Sequence, residues 1–541
     1  MKIKKEHLLL AFIVVIGVIA RIIKLEDPGM VMDTVAFSRL GKNLIEFGRY
    51  AFGENYNMGV FFPPGYPACI GIFNLVLDDL ILSAKLVSFV ASSITIVLSY
   101  FIGKELYDKE AGLFAALVYA LYPVILIISV DTYADALFFC LLLLSIYIFI
   151  VSLRKDRIYL HFLLGISIAA AFLTRPEGLF LMLLPGPRLF GIFNGKIRFE
   201  KEYFLKLVLI TSIFLLSISP YMLFLKDNTG KFSISGKANV SIVLGELSSD
   251  REYHDVVNAP DNLYDRAAFA LNEDKTELRG WNKKDNLSLR EYLFEDPAAF
   301  LKKYLKNVMR QINTLIKLII PIFLPLFFAF CNRDLFKERT RLIFLIYPGI
   351  LFLMYPFFMI IEKQTLSIVL YLIFFCSGGF VISGTLISDI AGHYRIEKNR
   401  AVNVLEKAIK PMIVALLLLS SISYLKYSSF DKVPHPIEHE RAGIYLQEHV
   451  SAEYEEINVM ARKPYSNYYS GARFTMMPYA SVEDVINFAK LYKVDYIVVD
   501  ERSLSRWEFY NELLKLQEYS GDVELFYEDT TGPLIRLFKI N

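Results

Sequence analysis

The apolar residues of this chain fall into long runs separated by short charged connections. A helix needs about 20 apolar residues to cross a bilayer. Runs close to that length lie at 7–25, 82–103, 111–129, 133–152, 158–174, 178–192, 205–225, 308–331, 342–361, 365–389 and 410–426. About 11 spans are therefore expected. The segment 66–80 is apolar but shorter, and reads as re-entrant or as the start of the second span. Three stretches lack such runs: 26–65, 226–305 and 427–541. In the last of them Ile457-Asn458-Val459-Met460 and Tyr496-Ile497-Val498-Val499 read as buried strands, and 481–491 as a helix. The pattern predicts a polytopic α-helical membrane domain over 1–426, followed by a soluble α/β domain over 427–541. Segment 226–305 reads as a long irregular loop with short helices.

The basic residues give the bundle a direction. Alternate connections carry Lys2/Lys4/Lys5, Lys104/Lys109, Arg154/Lys155/Arg157, Arg188/Lys196/Arg198/Lys201, Arg333/Lys337/Arg339/Arg341 and Arg395/Lys398/Arg400/Lys407/Lys410. The short connections between them are nearly free of Lys and Arg. Cytoplasmic loops hold the excess of Lys and Arg, so the N-terminus is expected inside. An odd number of spans then puts the C-terminal domain outside a multi-pass cell membrane. The first run follows Met1-Lys2-Ile3-Lys4-Lys5 with no small-x-small cleavage site after it, and reads as a retained helix.

Composition agrees with this picture. The chain has 541 residues, of which 55% are hydrophobic, and its formal net charge is +2. That charge points to no nucleic-acid partner. Cys69, Cys140, Cys331 and Cys376 lie in or beside apolar runs, at spacings that match neither a zinc site nor a disulfide framework. His435, Glu438, His439 and Glu440 form a cluster before the C-terminal domain and read as a solvated linker. No metal site is expected, although a divalent cation is compatible with the acidic residues described next. Asn239-Val240-Ser241 and Asn286-Leu287-Ser288 are sequons of a common kind.

A sparse set of charged groups lies at the span ends expected to face outward: Asp33, Asp131, Asp135, Arg175, Glu177, Glu362 and Lys363. A charge inside a span costs about 2.5–3.5 kcal/mol on insertion scales, so such residues invite a functional reading. Each also has a plain one. Asp33-Thr34 and Asp131-Thr132 suit helix N-caps, and Pro176 suits a first helical position. After Asp33, the residues Phe37, Leu40, Leu44 and Phe47 recur every three or four positions. They form the apolar stripe of an amphipathic helix suited to the membrane surface. Phe61-Phe62-Pro63-Pro64-Gly65-Tyr66-Pro67 then reads as a stiff turn.

This order, a first span, an acid, an amphipathic helix from Ala36 to Tyr50 and then Pro63-Pro64-Gly65-Tyr66-Pro67, resembles the GT-C superfamily of membrane glycosyltransferases. The branch it most resembles is glycosyltransferase family 39, the protein O-mannosyltransferase and aminoarabinose transferase group. Tyr122-Pro123 before Asp131 and Asp135, Leu173-Thr174-Arg175-Pro176-Glu177-Gly178, and Tyr468-Tyr469-Ser470-Gly471 in the terminal domain agree with it. The resemblance covers roughly 1–390. It departs from the mannosyltransferases at Asp33-Thr34, where they often carry Asp-Glu, and at Lys363-Gln364, where relatives often carry Arg-Tyr. The oligosaccharyltransferase signature Trp-Trp-Asp-Tyr-Gly is absent from the chain.

The resemblance implies an enzyme that moves a sugar from a polyprenyl-phosphate carrier to a glycan, lipid or protein acceptor outside the membrane, with inversion. Asp33 corresponds to the family's first-loop acid and is the expected catalytic base. Arg175 and Lys363 are the expected partners of the donor phosphate. Asp131, Asp135, Glu177 and Tyr66 are the expected sugar or acceptor contacts. No cofactor is implied. A lipid-linked-sugar flippase would instead place charged or broken spans near the midplane, often with paired repeats. A membrane-anchored envelope-binding protein would leave the Asp33–Pro67 block without a purpose.

Overall fold

The computed structural model describes residues 4–25, 32–192, 198–236, 263–279, 297–357, 362–393, 400–427, 435–450, 456–519, 521 and 523–541. Both sequons lie outside them. The chain divides into two compact units. A helical unit comprises Met1–Asp27, Leu82–Pro220 and Tyr304–Lys432, and a mixed unit comprises Pro28–Ile81, Tyr221–Lys303 and Val433–Asn541.

Among the described residues, seven helices are long and apolar enough to cross a membrane: Lys5–Lys24, Leu80–Leu106, Asp135–Lys155, Lys201–Thr229, Phe300–Cys331, Thr340–Phe357 and Gln364–Ile387. Gly65–Leu77 and Ile158–Thr174 are shorter apolar helices. Two expected spans look different in the structure. The run 111–129 is two helices, Lys109–Leu121 and Pro123–Ile128, broken where Tyr122 turns extended before Pro123. The run 178–192 is not one helix. It forms a 3-10 segment, Pro176–Leu183, and a single short turn, Gly186–Leu189. Pro185 and Pro187 lack the N–H groups that would carry an α-helix through this stretch. The segment 66–80 is a helix of its own, Gly65–Leu77, closed by Asp78 in a left-handed conformation at φ 48°.

The break at Tyr122 leaves helix carbonyls without helical partners, and one buried cation collects them. Arg21, inside the first span, is fully buried. Its guanidinium donates to the carbonyls of Tyr119 at 3.1 Å, Ala120 at 3.2 Å and Gly17 at 2.9 Å, and to Ser92 Oγ at 3.0 Å. A cation at a helix C-terminus is favoured by the helix dipole. Tyr119 and Tyr122 extend the anchoring, donating to the carbonyls of Leu370 and Leu318.

In the mixed unit the helix Met32–Phe47 packs on Gly65–Leu77 at unusually short range. A Cβ on Gly41 would come within 2.2 Å of the Pro67 carbonyl, and one on Gly71 within 2.3 Å of the Gly41 carbonyl. The stripe residues Phe37 and Leu40 are buried, but so is every residue from Thr34 to Gly41. Arg39 on the polar side is buried and donates to the carbonyls of Asn467 at 2.9 Å and Tyr468 at 3.3 Å. The expected amphipathic helix is present, but its first half is covered by protein on both faces, while Leu44 is half-buried and Phe47 is exposed.

The C-terminal segment folds on a five-stranded sheet of β1 Asn458–Ala461, β2 Arg473–Met476, β3 Tyr496–Asp500, β4 Val523–Asp529 and β5 Ile535–Ile540. The strand order is β2-β1-β3-β5-β4. The first three strands run parallel and the last two pair antiparallel. β1 and β3 are fully buried, as their apolar runs predict, and the helix Val482–Leu491 starts on a Ser481 cap. Two distant stretches close on this domain. Glu54 N–H donates to the Phe474 carbonyl at 2.8 Å, and the Asn55 side chain both accepts from and donates to the Met476 backbone at 2.9 Å, beside a Phe52–Phe474 stack. Between 263 and 279, Tyr479 N–H donates to the Phe269 carbonyl, and Asp265 accepts from Arg462 and, at 2.7 Å, from Trp507 Nε1.

The cluster around residue 438 is not a solvated linker. Glu438 and His439 are fully buried within the helix Ile437–His449. Glu438 is held by Arg502. The His439 ring meets Ser466 Oγ at 2.8 Å and Asp500 at 3.4 Å. Charged residues can be buried when partners are present, and composition alone does not reveal those partners.

Candidate functional site

In the helical unit the broken helix leads into the connection 129–134, which presents Asp131 and then Asp135 in the first turn of Asp135–Lys155. Asp131 accepts from the Thr132 N–H at 2.9 Å and caps no helix. Asp135 is buried. Arg175 follows the last residue of helix Ile158–Thr174, and Pro176 opens the 3-10 turn that carries Glu177. This turn needs Gly178, because a Cβ there would lie 2.4 Å from the Phe172 nitrogen.

Three of these residues form one ionic cluster. Arg175 Nη1 donates to Asp135 Oδ1, Nη2 donates to Glu177 Oε1 at 2.8 Å, and Nε donates to Glu177 Oε2 at 3.4 Å. The guanidinium has five N–H donors, so three are committed here. Its side chain is 19% exposed, against 3% for Asp135. The cluster sums to one net negative charge, so Arg175 is not an isolated cation. It holds two acids that burial would otherwise penalise.

The sequence did not single out Tyr355. Its hydroxyl bonds Ser367 Oγ at 2.7 Å and lies within electrostatic reach of Glu177 and Arg175. Asn307 supports the same corner, donating to the Pro356 carbonyl at 3.0 Å. Lys363 stands in the first turn of the helix Glu362–His393, and its side chain lies outside the described residues.

In the mixed unit Asp33 lies in the first turn of Met32–Phe47, where the helix dipole favours an anion. It is therefore not the N-cap residue that Asp33-Thr34 suggested. Its carboxylate is half-buried, and among the described residues no hydrogen bond or ion pair engages it. Tyr465 lies near enough to respond to it: burial pushes the Tyr465 hydroxyl well above its usual range, and the charges of Asp33 and Asp500 push it further. Tyr66, expected to touch sugar or acceptor, is instead fully buried and packs edge-on to Phe37 at 5.2 Å. It buttresses the Asp33 helix. Among the described residues no group of three or more His, Cys, Asp or Glu is placed to hold a metal.

Comparison with known proteins adds to this geometry. Residues 62–224 match the family described as dolichyl-phosphate-mannose-protein mannosyltransferase. That segment contains Tyr66, Asp131, Asp135, Arg175 and Glu177. No curated protein sequence matches the chain. Among solved structures, ArnT from Cupriavidus metallidurans bound to undecaprenyl phosphate superposes with TM-score 0.59 at 10% identity, over 97% of each chain. The oligosaccharyltransferase of Archaeoglobus fulgidus in its apo form gives TM-score 0.54 at 13% identity, covering 95% of this chain and 72% of that one. The archaeal oligosaccharyltransferase AglB from Archaeoglobus fulgidus, in complex with an inhibitory peptide and a dolichol-phosphate, gives TM-score 0.52 at 12% identity, covering 95% of this chain and 72% of that one. The chain thus shares the fold of these membrane proteins, and its residues 62–224 are similar to the dolichyl-phosphate-mannose-protein mannosyltransferase family.

Proposed function

We propose that this protein transfers a sugar from a polyprenyl-phosphate donor to an acceptor hydroxyl on the outer face of the cell membrane, with inversion. The observation that carries the reading is Asp33. It is a half-buried carboxylate with no hydrogen-bonded partner among the described residues, at the start of a helix clamped by Gly41, Gly71 and Arg39. A general base must be held firmly and left free to take a proton.

In this mechanism Asp33 accepts the proton of the acceptor hydroxyl as its oxygen attacks the anomeric carbon. The bond from that carbon to the phosphate oxygen breaks, and the polyprenyl phosphate leaves as an anion. Positive charge stabilises that anion. Lys363 supplies it as a point charge, and Arg175 through its two uncommitted N–H groups. Asp131, Asp135 and Glu177 contribute acceptors for hydroxyl groups. The undecaprenyl phosphate of the Cupriavidus structure and the dolichol-phosphate of the Archaeoglobus structure support a lipid phosphate as carrier. The alternation of Lys and Arg along the connections supports a cytoplasmic N-terminus and an outward C-terminal domain. The acceptor is a glycan, lipid or protein, and the soluble 427–541 domain is suited to dock it.

The test is transfer of labelled sugar from a set of polyprenyl-phosphate sugars to membrane acceptors by wild type and Asp33→Asn. Transfer by wild type alone supports the reading. No transfer by either folded protein with any sugar would refute it.

A further inference from the structure

The sheet of the mixed unit places a cation without an anion at the carboxyl end of its first strand. β1 pairs with β2 on one side and β3 on the other, all parallel, and the chain visits β2 before it returns to β3. In open parallel sheets, ligands bind outside the carboxyl ends of the strands where the order reverses in this way. The residues that leave β1 at that point are Arg462 and Lys463. Arg462 is buried and paired with Asp265. Lys463 is half-buried, and among the described residues its ammonium makes no hydrogen bond and no ion pair. The charged groups within electrostatic reach of it are Arg462, Arg502, Asp265 and Asp500. Both acids are engaged elsewhere, Asp265 by Arg462 and Trp507, and Asp500 by His439 and, at 2.6 Å, the Ser503 N–H. Burial and the neighbouring Arg462 pull the Lys463 ammonium below its usual value. Charge withdrawn from water is ordinarily paired, and here the partner is missing.

Lys463 belongs to the surroundings of the expected base. Its ammonium lies 6.0 Å from the centre of the Tyr465 ring, and Tyr465 feels the charge of Asp33. The helix Tyr465–Ser470 is tied to the helix that carries Asp33, because Arg39 donates to the carbonyls of Asn467 and Tyr468. Lys463 and Asp33 are therefore held on one frame. Each is half-buried, so each keeps accessible surface through which a ligand can reach it. An ammonium offers three donors and no acceptor, and as a point charge it selects an anion. The reaction says which anion. A displacement with inversion puts the base and the leaving group on opposite faces of the sugar ring. A cation that flanks the base faces the acceptor, and not the leaving phosphate.

We infer that Lys463 binds an oxyanion of the acceptor, a carboxylate or a phosphate, and so holds the neighbouring acceptor hydroxyl at Asp33. The inference rests on the proposed reaction and deepens it: the acceptor is an acidic molecule. Lys463 is a specificity residue in this account, and the donor phosphate is left to Arg175 and Lys363. A site built around an unpaired charge discriminates against the uncharged analogue, because its own polar group is then left unpaired.

The experiment uses the full-length protein in phosphatidylcholine nanodiscs and measures anion binding and transfer separately. Binding is read as protection of Lys463 from acylation by an N-hydroxysuccinimide ester, resolved by mass spectrometry. The probes are methyl glucuronide and glycerol 3-phosphate, their neutral counterparts methyl glucoside and glycerol, and bare polyprenyl phosphate. The two small anions are expected to protect Lys463, and the neutral counterparts are not. Transfer of labelled sugar to membrane acceptors is then compared in wild type, Lys463→Met and Lys463→Arg, each with its melting temperature. Lys463→Met should raise KM for the acceptors roughly tenfold while kcat and donor binding are kept, and Lys463→Arg should recover most of that loss. The melting temperature of Lys463→Met should not fall, because the change removes a charge that has no partner. Equal protection by charged and neutral probes, or by none, would overturn the inference. Protection by polyprenyl phosphate alone would also overturn it, making Lys463 a partner of the leaving group. An unchanged KM in folded Lys463→Met would do the same and leave the reaction reading standing. If wild type transfers no sugar yet the small anions protect Lys463, the anion site is upheld and the reaction reading falls.

Discussion

Each unit holds an arginine against buried carboxylate, and the two sites differ in what remains open. In the mixed unit Asp265 is closed, with one oxygen taken by Arg462 and the other by Trp507, and the two charged side chains are 11% and 7% exposed. In the helical unit Arg175 faces two acids, retains two donors and is 19% exposed. The first arrangement ties residues 263–269 to the C-terminal domain. The second has more charge than its own pairing consumes. Access separates the two: the Arg175 side chain is 19% exposed and that of Arg462 only 7%.

Breaking the two arginine sites separately sharpens the contrast. Arg175→Met leaves Asp135 and Glu177 buried without their cation. Removing one partner of a buried pair costs about 3–5 kcal/mol, so denaturation should move by that order, and transfer should fall at least a hundredfold per folded molecule. Asp265→Ala strands Arg462 and should destabilise by a comparable or slightly smaller amount, with transfer per folded molecule within about twofold of wild type. Equal loss of transfer in both variants, measured against the folded fraction, would erase the distinction. Gly41→Ala forces apart the helices at Gly41 and Pro67 and should cost about 1–3 kcal/mol. It should also lower kcat, because the helix that moves carries Asp33.

The smallest effect concerns acid. Burial alone would raise the Asp500 carboxyl, but the His439 ring and hydrogen bonds involving His439 and Ser503 outweigh it and hold Asp500 below its usual 3.8. A depressed carboxyl contributes stability above its unfolded value of about 3.9 and loses it as pH falls through the folded value. Melting temperature should therefore fall between pH 5 and pH 3 in wild type, and fall less steeply in Asp500→Asn. Parallel slopes would show that Asp500 carries none of the acid sensitivity.

The legible parts of this molecule are those governed by local pattern. The apolar runs announce the membrane helices, and the buried runs at 457–460 and 496–499 announce β1 and β3. The stripe through Phe37 and Leu40 announces the helix after Asp33. Arg175, Glu177 and Asp135 were grouped from their positions at the span ends, and the structure joins them in one cluster. What stayed hidden depends on partners distant in sequence. Arg39 looks like a solvent-facing residue until Asn467 and Tyr468 cover it. Glu438 and His439 look like a linker until Arg502, Ser466 and Asp500 close over them. Tyr66, an expected sugar or acceptor contact, is a core residue. The run 178–192 is apolar enough to span, yet its prolines forbid the helix.

The central claim is that Asp33, which has no hydrogen-bonded partner among the described residues, is the group that takes the proton. Asp33→Asn keeps the shape and removes the basicity. Wild type and this variant, matched for folded fraction, should be given the same labelled polyprenyl-phosphate sugar and membrane acceptors. The account predicts transfer by wild type, a fall of at least a hundredfold in the variant, and unchanged binding of the donor lipid. Equal transfer by both proteins would contradict it and leave Asp33 a residue of the fold.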